Sequence, residues 1–187
     1  WDAKDAELNG ETIDCIWNGF TINGREGQYA WTKPYVNNSQ VFVVAADSGI
    51  TNKQTLAGMS VAVQRDSSAL SALNDEDNAD NIALRDSFAE LLQYDDYNTA
   101  FMDLVQGAVD AVAMDIGVAK AQIEDRAAGA FVILDEQLST EQYGVGFRLG
   151  NEALRDQVQE TIDEMVADGT FLEIATQWGL ETSVVLD

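Results

Sequence analysis

Three short stretches of this sequence gather groups that could do chemistry, and each suits holding a small zwitterion better than transforming one. The first is Trp17-Asn18-Gly19-Phe20-Thr21-Ile22-Asn23-Gly24-Arg25. A strand that ends in a polar, glycine-containing loop leaves backbone N–H groups, the Thr21 hydroxyl and one guanidinium available. The planar fork of an arginine can donate two parallel hydrogen bonds to a carboxylate. Taken alone, Arg25 reads as a surface cation in a turn. The second stretch is Val61-Ala62-Val63-Gln64-Arg65-Asp66-Ser67-Ser68-Ala69. Here a buried strand runs through a short polar loop into a helix that opens on serines. A serine at that position is ordinarily a cap worth ~1 kcal/mol, yet a helix start also offers free N–H groups and a positive end to an anion. The third is Gly107-Ala108-Val109-Asp110-Ala111-Val112-Ala113-Met114-Asp115. Asp115 closes an apolar strand and heads the next helix, which makes it a cap or a partner for an ammonium group. Open α/β sheets bind ligands at the carboxyl ends of their strands.

Composition narrows the chemistry. Ten Lys and Arg stand against 33 Asp and Glu, a net charge of −23 that repels nucleic acid and anionic membrane surfaces. Such a charge serves hydration first, and steering of cationic ligands second. With no histidine, His-based triads, imidazole shuttles and His-ligated zinc are excluded. The single cysteine, Cys15, allows no internal disulfide and no Cys cluster for metal. Its apolar surroundings suit a buried, inert thiol. No cofactor and no metal site is expected. No apolar run approaches the ~20 residues of a membrane helix. The chain opens on Trp1 rather than methionine, which reads as a sequence whose targeting segment has been cut away.

The elements that must position these groups alternate between helices and short apolar strands, the pattern of an α/β fold with mostly parallel strands. A helix is predicted over 3–8, a strand over 12–17, a buried strand over 40–46, a helical turn over 55–58 and a strand over 60–64 that feeds a helix from about Ser67. The run Asn74–Asn81 is too polar to bury and reads as an exposed loop or frayed helix end. Beyond it come a strand over 91–94, a helix over 97–106, a strand over 108–114 and a helix from Asp115 to about 127. Strands over 131–134 and 143–149 follow, then helices over 152–167 and 170–178. In the first of those last two, Leu154, Val158, Ile162 and Val166 recur every four residues and should face inward.

In order along the chain, ELN..TIDCIWNGFTINGRE, PYVNNSQVFVV, LAGMSVAVQRDSSAL, YNTAFMDLVQGAVDAVAMD and YGVGFRLGNEALRDQVQETIDEMVADGTFLEIATQWG form a register of five segments. Together they resemble the extracytoplasmic solute-binding proteins that deliver polar amino acids to ABC importers, from Trp1 to Gly179. The resemblance implies a two-lobed periplasmic-binding-protein-like α/β fold with two hinge strands, 40–45 and 143–147. It implies a discontinuous first lobe of residues 1–45 and 141–187, a second lobe of residues 46–140, and ligand held between them. By position, Trp1 corresponds to the aromatic that stacks over the ligand side chain. Asn18, Gly19 and Thr21 correspond to the loop at the α-carboxylate and α-amino groups, and Arg25, one residue nearer Thr21 than in many relatives, to the carboxylate partner. Gln64, Ser67 and Ser68 correspond to the closing loop and helix start, and Asp115 to the ammonium partner.

In that family a strand, a helix and a second strand precede the position of Trp1, and nothing here corresponds to them. The first lobe is therefore expected to lack its first strand–helix–strand, to expose apolar surface around Ile13, Ile16 and Phe20, and to favour self-association there. The implied partners are an amino acid and the membrane subunits of an ABC transporter, with no nucleic acid. The implied location is the periplasm or, as a lipoprotein, the cell surface. Rival readings are a sensory ligand-binding domain, which shares the binding physics, and an enzyme on the same scaffold, of dehydratase or peptidoglycan-cleaving type. The enzyme would need a positioned acid and base, and no paired carboxylates lie near the candidate clamp. A third rival is a structural fragment that binds nothing.

Overall fold

The computed structural model describes residues 3–186. In chain order its elements are α1 (Lys4–Asn9), β1 (Ile16–Thr21), β2 (Ala30–Trp31), β3 (Val36–Ala45), a 3-10 turn (Lys53–Leu56), β4 (Ser60–Gln64), α2 (Ser68–Leu73) and α3 (Ala79–Ser87). They continue with β5 (Glu90–Tyr94), α4 (Tyr97–Gln106), β6 (Ala111–Asp115), α5 (Ile116–Glu124), β7 (Phe131–Ile133), β8 (Ser139–Phe147), α6 (Glu152–Asp168) and α7 (Thr170–Gln177). The chain divides into two compact units. One holds the residues up to Asn38 and from Glu141 onward, and the other is the continuous stretch Ser39–Thr140. The first division falls earlier than the expected 45/46, because Gln40–Val44 pair with β6 and Val43–Ala45 with β7, so most of β3 belongs to the second unit's sheet.

In that second unit the strand order is β3–β6–β4–β5, with β7 also on β3. Strand β4 runs parallel to both β5 and β6, while β3 is antiparallel to β6. Strands covered on both faces read as unbroken apolar runs. Val41 and Val43 enter one core with Ala62, Val112 and Met114, whereas Phe42 and Val44 enter the other with Val61, Val63, Ala111 and Ala113. Helix α4 packs into the first of these cores through Ala100, Phe101 and Leu104, and α2 into the second through Ala69 and Leu73. The run 74–81, expected as an exposed loop or frayed helix end, is irregular up to Asn78 and helical from Ala79, and it is not wholly exposed. Asn78 accepts from the N–H of Asn81 and caps α3. Asn81 is buried, and its amide donates to the carbonyls of Ala72 (3.0 Å) and Leu138 (3.3 Å). A polar run can end in a helix when its asparagines satisfy backbone groups in this way.

The first unit is built on β8, with β1 and β2 both antiparallel to it. Strand β1 lies further along the chain than the predicted 12–17 and takes in Asn18 and Gly19, which were expected in a loop. Its register slips between Ile16 and Phe20, where Gly19 adopts φ 79°. The slip is a local bulge that lets a strand pass through a glycine. Across from it, Gly144 and Gly146 have no room for a side chain. A Cβ on Gly144 would come within 2.7 Å of Ile22, and one on Gly146 within 2.9 Å of Phe20. The rings of Phe20, Tyr29 and Trp31 gather there, with centroids 4.8–5.2 Å apart. That cluster overturns part of the exposure expected in this unit: Ile16 and Phe20 are only 5% and 1% exposed, and Ile13 alone reaches 36%. Leu154, Val158, Ile162 and Val166 of α6 pack with Ala30, Val145 and Phe147. The Cys15 thiol is partly buried, and burial, followed by the charge of Asp14, raises its pKa.

Candidate functional site

In the second unit, the parallel trio β5–β4–β6 ends on one edge, because Gln64 pairs with Tyr94 and Val63 with Ala113. Gln64, Ser67, Ser68 and Asp115 all belong to this edge. Gln64 is the last residue of β4, and its Nε2 donates to the Asp95 carbonyl at 3.1 Å. The chain then turns through Asp66, at φ 56°, into Ser67. A left-handed aspartate is unusual but tolerated, since its short polar side chain bonds locally. Ser67 is buried and caps α2, its hydroxyl accepting from the Leu70 N–H at 3.2 Å, and Ser68 is the first helical residue. Asp115 ends β6 and caps α5, with Oδ1 accepting from the N–H groups of Gly117 (2.7 Å) and Val118 (3.2 Å). The capping readings of Ser67 and Asp115 are thus realised.

Groups at this edge that the sequence reading did not single out come from the ends of β4 and β5. Arg65 Nη1 lies 2.6 Å from Asp95 Oδ1, and the Arg65 N–H donates to the Tyr94 carbonyl at 2.8 Å. Asp96 caps α4, accepting from the Thr99 N–H (2.8 Å) and hydroxyl (2.9 Å), and these bonds hold its carboxyl below the usual carboxylate range. The Tyr94 phenol donates to Asp103 at 2.6 Å and is pushed up to about 12, by burial first and then by that bond. A signal for Asp95 and Asp96 was present, because they directly follow a predicted strand. Only the pairing of β5 with β4 makes that position meaningful.

The first unit gathers Asn18, Gly19, Thr21 and Arg25 along one strand and the turn after it. Asn18 is exposed, Thr21 is buried, and Gly19 faces the Tyr143 ring. Burial raises the Tyr35 phenol, opposed by hydrogen bonds from the Gly19 backbone and the Trp17 side chain. Arg25 is half-buried. Its Nη1 donates to the Thr21 carbonyl at 3.2 Å, its guanidinium lies 5.4 Å from the Phe20 ring centroid, and its own carbonyl accepts from Trp31 Nε1 at 3.0 Å. The turn is thereby fixed, with the guanidinium laid back over β1. Trp1 lies outside the described residues. A cavity of about 430 Å³ in this unit is lined by Asp5, Leu8, Asn9, Gln28, Tyr29, Arg148 and Leu149, none of them a predicted site residue. Its charges are already matched, with Tyr29 donating to Asp5 and Arg148 paired to Glu11 at 2.8 Å. Among the described residues, no group of three or more acidic or sulfur ligands could hold a metal ion, and no helix is long and apolar enough to cross a membrane.

Parallel α/β architecture with polar groups at strand ends and helix starts is the fold of the periplasmic binding proteins, and solved structures of that class match it closely. The chain belongs to the bacterial extracellular solute-binding proteins, family 3, whose family model matches residues 1–181. It is 29% identical to the L-cystine-binding protein TcyJ of Escherichia coli (strain K12), over 95% of this chain and 64% of that protein. The chain therefore spans less than two thirds of that relative's length. Among solved structures, it is similar to an ABC uptake transporter substrate binding protein from Streptococcus pneumoniae with bound histidine. The identity there is 31% and the TM-score 0.87, over 95% of this chain and 72% of that one. It is also similar to an ancestral arginine-binding protein bound to arginine, at 30% identity and a TM-score of 0.82, over 95% and 76%.

Proposed function

We propose that this protein binds a polar L-α-amino acid outside the cytoplasm, in the periplasm or tethered at the cell surface. It passes the ligand unaltered to the membrane subunits of an ABC importer. The observation that supports this reading best is that structures so similar along 95% of the chain were solved with histidine and with arginine. Each unit has its share of the work. In the first, Arg25 takes the ligand carboxylate with Asn18, Gly19 and Thr21. In the second, Asp115 takes the ammonium group, and Gln64, Ser67 and Ser68 contribute neutral polar contacts. A guanidinium and a carboxylate suit a zwitterion, whereas a sugar asks for several aromatic platforms and many neutral polar groups.

The test is thermal unfolding with a panel of amino acids and sugars. A bound ligand at a hundredfold excess over Kd stabilises by ~2.7 kcal/mol. An upward shift with at least one amino acid, lost in Arg25→Ala, is the expected result. A shift with a sugar and with no amino acid would overturn the reading.

A further inference from the structure

We infer that Asn23 is a site of spontaneous covalent modification, its side-chain amide lost through a cyclic imide formed with the Gly24 nitrogen. An asparagine followed by glycine is open to this reaction because no side chain shields the attacking nitrogen. The sequence holds three such pairs, Asn9–Gly10, Asn18–Gly19 and Asn23–Gly24. The structure separates them. The Gly10 N–H is tied to the Ala6 carbonyl at 2.8 Å, and a Cβ on Gly10 would stand 2.9 Å from that oxygen. Gly19 lies inside β1, against the Tyr143 ring. Asn23 and Gly24 are exposed, and a Cβ on Gly24 would meet nothing within 4 Å, so the reacting atoms have room.

Both ends of the reaction are already held. The Gly24 N–H donates to Glu26 Oε1 at 3.1 Å, so the proton that must leave faces a carboxylate. Hydrogen bonds from its own N–H, and then from that of Gly24, keep the Glu26 carboxyl below the usual range and ionised at neutral pH. Asn23 Oδ1 accepts from the Gln142 N–H at 2.8 Å, a donor placed where negative charge develops as the carbonyl is attacked. The Gly24 nitrogen gives its proton to Glu26 and bonds to Asn23 Cγ. The bond from Cγ to the side-chain nitrogen breaks, and that nitrogen takes the proton from Glu26 and leaves as ammonia. Water then opens the imide at either carbonyl, leaving aspartate or isoaspartate at position 23. Either product adds a carboxylate to the turn that carries Arg25. Isoaspartate also lengthens the main chain by a methylene, inside the turn that the Arg25 N–H closes on the Ile22 carbonyl at 2.8 Å.

Peptide mass spectrometry on the whole chain, stored at neutral pH over several weeks, reads the mass gain of amide-to-acid conversion at each asparagine. Conversion at Asn23 severalfold faster than at Asn9 and Asn18 is expected, with isoaspartate among the products. In Glu26→Gln the side-chain oxygen can still accept from Gly24 but no longer takes its proton. Conversion at Asn23 should then slow severalfold while Asn9 keeps its rate. In concentrated urea the lead of Asn23 should vanish, because the fold no longer sets the three pairs apart. Fastest conversion at Asn9 or Asn18 would overturn the inference, as would an unchanged rate in Glu26→Gln or a lead that persists in urea. Aspartate as the sole product would mean direct hydrolysis and would overturn the imide route.

Discussion

Gly19 shows how one residue can carry a strand past an aromatic ring. Its φ of 79° lies where a side chain is strained, and a Cβ would meet the Tyr143 ring at 3.2 Å. Gly19→Ala should therefore cost about 1–3 kcal/mol of stability, from backbone strain and a displaced ring. Urea denaturation measures this, and an unchanged midpoint would mean that the bulge relaxes freely. Other residues were legible from sequence for a simple reason. Ser67 and Asp115 sit where a strand hands over to a helix, a local pattern, and both cap their helices. Asn81 was not legible, because its partners are the carbonyls of Ala72 and of the distant Leu138. Nothing local in the sequence foretells a bond across 57 positions.

At the scale of the element, α4 is the clearest case. Asp96 caps it through the Thr99 N–H and, next, the Thr99 hydroxyl, and both lower its pKa from an ordinary 3.8. A carboxyl whose folded value lies below its unfolded one adds stability that is fully present above the unfolded value. That contribution is lost as pH falls through the folded value. In Asp96→Asn the amide oxygen can still accept from Thr99 but cannot titrate. Wild type should be the more stable at about pH 6, with the gap to the variant closing below about pH 4, as read by urea denaturation across pH. A constant gap would show that the charge of Asp96 plays no part.

Helix α4 and strand β4 were readable with their observed bounds because propensity, pattern and punctuation agree there. Strand β1 was displaced toward its N-terminal side because its glycine and asparagine spell a loop, and the packing of Phe20 over Gly146 overrides them. Strand β2, two residues long, is defined by its partner β8 rather than by any pattern of its own.

For the whole molecule the leading physical fact is its charge of −23. Ion pairs do little to offset it. Lys4–Asp5, Arg85–Asp86 and Arg155–Asp156 join sequence neighbours. Lys33–Asp163, Arg65–Asp95 and Arg148–Glu11 join distant parts of the chain at exposed or half-exposed positions, where a pair contributes little. Self-repulsion among so many carboxylates destabilises the compact state, and salt screens it. The melting temperature should therefore climb between about 20 mM and about 500 mM NaCl. A flat or falling curve in differential scanning fluorimetry would mean that specific pairing outweighs repulsion. The two units meet in the chain at 38/39, inside β3, and at 140/141, inside β8. A strand that serves both units carries no mark of the point at which its pairing passes from one to the other.

The double crossing also sets a timetable. Ile16 meets Gly146 and Ala30 meets Phe147, so β1 and β2 reach their β8 partner only across more than a hundred residues. As the ribosome works along the chain, that interval lasts on the order of ten seconds. Meanwhile β4, β5 and β6 find one another over much shorter loops, a quicker search. The unit that holds β1 and β2 therefore finishes folding after the one that holds β4, β5 and β6.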